Sequence, residues 1–199
     1  MRWLWLVVVL ALPILGWRAC VWRDARRFQG EGVVAPEPPE QRNGQEAPFQ
    51  HGEVFISPKA RFSLRARVLG AQGYDGEADG ELVPVDLALG WGALSEASVA
   101  LGLKVSQGNR YYSWFAPADF PLGQRDVVRS SANMHIIPAD AAVESALRRV
   151  RRGDVVELSG MLVDVSGGEL PWHSSLTRED DGSYACEVVY TEALRIASP

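Results

Sequence analysis

The strongest constraint on the fold is a change of hydrophobic period along the chain. Phe62, Leu64, Ala66 and Val68 alternate with polar neighbours, the period of a strand with one buried face. From residue 139 to 152 the period changes, and Ala142, Val143, Ala146, Leu147 and Val150 share one face at helical spacing. Pro138 precedes this stretch, Asp140 sits at its start, and Glu144 stands four residues before Arg148. Arg148, Arg149, Arg151 and Arg152 crowd its end, where a helix dipole favours cations, and Gly153 supplies the stop. Residues 155–165 then return to a β-branched strand pattern. Its alternation starts on Val156 and Leu158 and resumes on Met161, Val163 and Val165, so Gly160 predicts a bulge.

Residues 54–56, 83–89, 109–115, 132–137, 172–176 and 184–196 carry further strand signals, and Ser95 opens a short helical stretch over 95–103. Strands, one long helix and more strands predict an α+β fold: a small OB-like β-barrel or meander with one capping helix.

The N-terminus predicts an address. Residues 3–17 form an unbroken apolar or Gly/Pro run behind Met1 and Arg2. Extended through Arg18 to Trp22 it covers about 20 residues and about 30 Å, the thickness of a bilayer's hydrocarbon core. Trp3, Trp5, Trp17 and Trp22 fall where an interfacial aromatic belt would place them. A cleaved signal peptide needs small residues at its cleavage site, and Trp17 and Arg18 stand there instead. The expectation is an uncleaved transmembrane signal anchor over residues 1–27, with the membrane itself, and possible membrane proteins, as partners. Residues 28–51, with Pro36, Pro38, Pro39 and Pro48 and no apolar periodicity, read as a Pro-rich linker. The soluble domain then spans residues 52–199. Arg18, Arg23, Arg26 and Arg27 behind the run favour a cytoplasmic domain by positive-inside counting, whereas the likeness of the run to an uncut export signal favours the outer side.

Charge narrows the partners. The whole chain carries a net charge of -5, and its first 27 residues hold five Arg and one Asp, which leaves -9 on the rest. A non-specific polyanion binder is excluded, so no nucleic-acid partner is expected. A composition of 47% hydrophobic and 23% charged residues also excludes a disordered tail.

Several strings are more particular than strand and turn chemistry requires. They are Pro84-Val85-Asp86-Leu87-Ala88-Leu89-Gly90-Trp91-Gly92, Tyr111-Tyr112-Ser113-Trp114, and Ser131-Ala132-Asn133-Met134-His135-Ile136-Ile137-Pro138. With Trp172-His173-Ser174-Ser175-Leu176-Thr177-Arg178 and Ala185-Cys186-Glu187, the chain resembles an uncharacterised family of bacterial membrane-anchored proteins over roughly residues 56–195. The resemblance implies membership and no activity. Together with the anchor it implies a single-pass protein of the bacterial inner membrane, and the likeness of the run to an uncut export signal places the domain on the periplasmic side.

No HExxH, CxxC, Walker, GxGxxG or GxSxG string is present, so neither a cofactor nor a metal is expected. His51 falls in the linker and leaves His135 and His173 as the domain's imidazoles. The catalytic candidates are His135 and His173 with Ser174 or Cys186 as nucleophile. Each also has a structural reading: satisfied strand histidines, and Cys186 as a small buried hydrophobe. Trp91, Tyr111, Tyr112 and Trp114 are the binding candidates, a stacking platform for a base or sugar if they are not core. The expected function is a membrane-tethered, non-enzymatic binding or assembly module. The alternative is a small hydrolase using His135 or His173.

Overall fold

The computed structural model describes residues 27–76, 79–168, 171–177 and 185–199. Among them the strands are β1 (Glu40–Asn43), β2 (Phe49–His51), β3 (Val54–Gly73), β4 (Val85–Gly90), β5 (Lys104–Gly108), β6 (Tyr111–Phe115), β7 (Ser131–Pro138), β8 (Val155–Ser166) and β9 (Glu187–Ala197). The helical pieces are a 3-10 turn (Gly92–Ser95), α1 (Ala97–Gly102), α2 (Gln124–Arg129) and α3 (Ala141–Leu147).

β3 organises the sheet because its 20 residues are long enough to pair with four strands. It runs antiparallel to β1, β2, β4 and β8. Register slips between Pro58 and Ala60 against β8, and between Val68 and Gly70 against β4, bend it, as an extra residue in a strand does. β4 pairs with β7 and β8 with β9, both antiparallel, while β7 and β9 run parallel. The pairings therefore form a circuit, β3-β4-β7-β9-β8 and back to β3. The alternate residues Phe62, Leu64, Leu87, Met134, Ile136 and Leu158 meet inside it.

The expected α+β class, an OB-like barrel or meander behind a transmembrane helix, is corrected. Strand accounts for 46% of the described residues and helix for 15%, a mostly β architecture. The helical share is spread over short pieces. A meander is ruled out by the parallel β7–β9 pair, which hairpin connections cannot make. No helix among the described residues is long and apolar enough to cross a membrane, and the run at residues 3–17 lies outside the described residues. The expected membrane, signal-anchor and single-pass assignments have no support among the described residues.

The helix expected over residues 139–152 closes at Leu147. Asp140 caps its start, its Oδ1 accepting from the backbone N–H groups of Ala142 (2.8 Å) and Val143 (2.9 Å). Beyond Leu147 the N–H groups of Arg149 and Val150 reach back three residues, to Ala146 and Leu147, which tightens the last turn. Leu147 and Val150 both enter the core by this route.

At Gly160 the alternation of β8 is unbroken: Val156, Leu158 and Leu162 face the interior, and Met161, Val163 and Val165 face a second apolar cluster. The extra residue lies on the opposing strand, where Ser159 pairs with Ala193 and Gly160 with Thr191, leaving Glu192 over. Gly160 is required by the close approach, since a β-carbon there would lie 1.9 Å from the Tyr190 carbonyl oxygen.

Residues 28–51, expected as a spacer, lie against the domain. Phe28 and Ala35 are buried, and β1 and β2 add to β3. The anchor point is Arg67, fully buried on β3, which donates to the carbonyl oxygens of Gln29 (2.8 Å), Ser95 (2.6 Å) and Gly153 (2.9 Å). Burial lowers its pKa, and three carbonyl dipoles stand in for a carboxylate.

Leu147→Ala empties a buried site and is expected to cost about 2–5 kcal/mol in denaturant melts. Arg149→Ala, in the exposed turn that follows α3, should stay within about 0.5 kcal/mol. Equal losses would show that the helix face is misassigned. Gly160→Ala is expected to cost about 1–3 kcal/mol, because backbone must move to admit the methyl group.

Candidate functional site

β4 and β7 are buried along their whole length, so both faces of this strand pair are covered. Val85, Leu87 and Leu89 and, across from them, Ala132, Met134 and Ile136 point to the interior. The alternate positions Asp86, Ala88, Asn133 and His135 therefore point outward. The hairpin β5–β6 packs beside Ala88, and Trp172 packs on His135 with ring centroids 4.7 Å apart. Two ionisable side chains are thereby buried, and buried charges require partners.

They find them in each other. Asp86 and His135 are direct cross-strand partners, and His135 Nδ1 lies 2.9 Å from Asp86 Oδ1. The same Oδ1 accepts from Arg110 Nη1 at 3.2 Å. Oδ2 of Asp86 is enclosed without a hydrogen-bond partner among the described residues. Arg110 also grips Asp79 with both arms, Nε to Oδ2 (3.1 Å) and Nη2 to Oδ1 (2.6 Å), and donates from Nη1 to the Val83 carbonyl oxygen (3.0 Å). Its guanidinium carbon sits 3.5 Å from the centre of the Tyr74 ring. The Tyr74 hydroxyl is pushed up to about 12, first by burial and then by the Asp86 charge.

Burial by itself would drive His135 toward its neutral form. Hydrogen bonds to Asp86 and Cys186, and the charges behind them, outweigh it and raise the imidazole from 6.5 to about 9. His135 is therefore an imidazolium at neutral pH. Nδ1 of the ring is committed to Asp86.

Cys186 is a half-buried free thiol at the entry to β9. The parallel register sets Val188 beside His135 and Glu187 beside Met134, so Cys186 comes to the face of Asn133, whose Nδ2 is 3.9 Å from the sulfur. The Ser175 N–H donates to the Cys186 carbonyl oxygen (3.0 Å), and Ser174 Oγ accepts from the Val188 N–H (3.1 Å). These two serines pin the thiol's backbone to the segment that carries Trp172.

The sequence candidates thus divide. His135 and Cys186 come together, with Asp86 behind the ring. Ser174 is close by, but its hydroxyl donates to the Ser175 carbonyl oxygen (2.9 Å). His173 is turned to solvent, its side chain 66% exposed and 3.4 Å from Asp164. Trp91 is buried in the main core, Tyr112 and Trp114 pack on a lesser cluster, and Tyr111 is exposed, so these four rings form no common surface. Among the described residues, no group of three His, Cys, Asp or Glu side chains is placed to hold a metal ion. A groove of about 540 Å³ runs between the 35–40 segment and strands β3, β8 and β9, away from Asp86 and His135.

In the sequence Asp86 and Trp172 stand out as members of particular strings, and Arg110 and Tyr74 carry no signal. A signal for Asp86 was present: Asp86 and His135 both occupy alternate positions in otherwise apolar strands. Comparison of the chain with family models, with curated proteins and with solved structures found no match.

The buried ion pair ties stability to pH. Because the folded value of His135, about 9, lies above its ordinary 6.5, this stabilisation is complete below 6.5 and is lost as pH rises through about 9. Chemical melts across that window should show a loss of a few kcal/mol that is absent in Asp86→Asn.

Proposed function

We propose that the chain is a thiol-dependent hydrolase in which Cys186 is the nucleophile, His135 the proton carrier and Asp86 the residue that orients the ring. The carrying observation is the pair Asp86 Oδ1–His135 Nδ1 at 2.9 Å, with Cys186 on the same outer face, its sulfur 3.9 Å from the Asn133 Nδ2 of the neighbouring outward position. Nucleophile, base and orienting group in that order are what nucleophilic catalysis requires.

A protonated imidazole cannot take a proton from the thiol, so attack falls to the thiolate form of Cys186. Its sulfur bonds to the carbonyl carbon of an acyl substrate. The bond to the leaving group breaks as His135 delivers its proton to that group. The neutral imidazole then takes a proton from water, whose oxygen attacks the thioester, releasing the acid and returning the thiolate beside the imidazolium. Asp86 holds Nδ1–H throughout, which orients the ring.

The expected non-enzymatic binding or assembly module also has an observation in its favour. Tyr111 and Phe115 are 55% and 60% exposed on one face of β6, with the Lys104 ammonium 5.7 Å from the Phe115 ring.

Hydrolysis of a panel of activated esters, thioesters and anilides separates the two readings. The hydrolase reading expects Cys186→Ala and His135→Gln each to lose about 100-fold or more in kcat/KM. Ser174→Ala and His173→Gln should stay within a few fold. No turnover by the native chain, together with alkylation of Cys186 no faster than that of an unassisted thiol, would leave the binding module as the surviving reading.

A further inference from the structure

The hairpin β5–β6 turns through Asn109 and Arg110, with φ of 50° and 66°. A two-residue turn with both centres left-handed favours Asn then Gly, because only glycine carries no penalty there. Arg110 occupies the glycine position at a cost of about 1 kcal/mol. What it offers in return is its side chain, 14% exposed and inserted between Asp79, Asp86 and the Tyr74 ring.

The guanidinium has five N–H donors, and four of them are taken up: two by Asp79, one by Val83 O and one by Asp86 Oδ1, which leaves a single N–H on Nη2. Too little is left for it to clamp a substrate carboxylate or an oxyanion. Its backbone is fixed as well, since its N–H donates to Tyr74 Oη (3.2 Å) and its carbonyl oxygen accepts from Asn133 Nδ2 (3.4 Å). The one contact with the chemistry is the Asp86 oxygen, which it shares with His135.

We propose that Arg110 is a positioning residue: held in a left-handed turn, it fixes Asp86 against His135 and takes up part of the carboxylate charge, so limiting how firmly the imidazole keeps its proton. The inference rests on the reading of Asp86, His135 and Cys186 as one reactive site. An imidazolium bonded to an unshared buried carboxylate gives up its proton reluctantly, and a proton carrier in hydrolysis must release one in each cycle.

The groups facing the ring are Asp86 from β4, Cys186 from the entry to β9, and Arg110 from the hairpin with Asp79 and Tyr74 behind it. Trp172 covers one side of the ring and does not titrate.

The test is an NMR titration of the His135 ring in the full chain, assigned with His51→Gln and His173→Gln. Arg110→Gly removes the guanidinium and relaxes the turn, so it guards against simple failure to fold. It should raise the His135 midpoint by about 1 pH unit, because a competing cation is lost. Arg110→Lys, which keeps a charge beside Asp86, should restore most of the native value. Were Arg110 merely structural, the loosened hairpin would let water in and the midpoint would fall toward 6.5 or stay unchanged, and either result overturns the proposal. The titration needs no turnover, so its failure is distinguishable from failure of the hydrolase reading, which the Cys186 variants test.

Discussion

The parallel pairing of β7 with β9 is the constraint on which the rest of the structure depends. The two strands are separated in sequence by α3 and β8, so their pairing is non-local and carries the loop-closure cost of every residue between them. Once made, it completes the circuit that begins at β3 and seals the apolar interior. Its register also decides the chemistry. His135 stands beside Val188, and a slip by one residue would turn Cys186 to the opposite face of the sheet. Ser174 and Ser175, which bond the backbone of Val188 and Cys186, hold the register at the end where the thiol sits.

Two buried cations show two ways to satisfy charge in this fold. Arg67 has carbonyl oxygens alone as hydrogen-bond acceptors, from three separate segments, and its work is to gather the chain. Arg110 is met by two carboxylates, one of which it shares with an imidazolium. The cluster of Asp79, Asp86, Arg110 and His135 is charge-balanced at neutral pH, since two carboxylates meet two cations. Removing any one member leaves the others buried and uncompensated, which costs more than the pair contributes. Such an arrangement is a poor device for stability alone, because a well-packed apolar face would serve as well.

How much of this was legible in the sequence depends on how local the cause was. The alternation in Phe62–Val68 and the helical spacing of Ala142, Val143, Ala146, Leu147 and Val150 are local: Val143, Leu147 and Val150 of that face are buried, Ala146 is half-buried and Ala142 is exposed. Gly160 was marked correctly as an irregularity, yet its cause lies in the extra residue Glu192 on another strand. The 28–51 segment showed no apolar period because β1 is exposed along its length and contributes hydrogen bonds to β3 in place of side-chain packing. The site was the least legible part. Asp86, Arg110, His135, Trp172 and Cys186 come from separate segments, and none has its nearest chemical partner within its own strand. The alternation in residues 85–89 and 132–136 indicated a polar outward face. It could not show that the hairpin and the Trp172 segment would bury that face.

That burial has a consequence for how the site works. Asp86 and His135 lie outside the main interior, on the outer face of β4 and β7, and are kept from water by elements added on top. The hairpin β5–β6 forms a separate two-stranded sheet and reaches this face through side-chain bonds, Gln107 to Asn133 (2.8 Å) and Arg110 to Asp86. An isolated hairpin is marginal in water, so its order is borrowed from those contacts. The polar cluster and its cover therefore stabilise each other. Protonating Asp86 weakens the bond that holds Arg110, and with it the hairpin tip, down, and a cover of this kind opens locally at a lower free energy than the circuit beneath it unfolds. The strain held at Asn109 and Arg110 fits this division: the tip of the cover carries it, and the closed sheet beneath bears none of it.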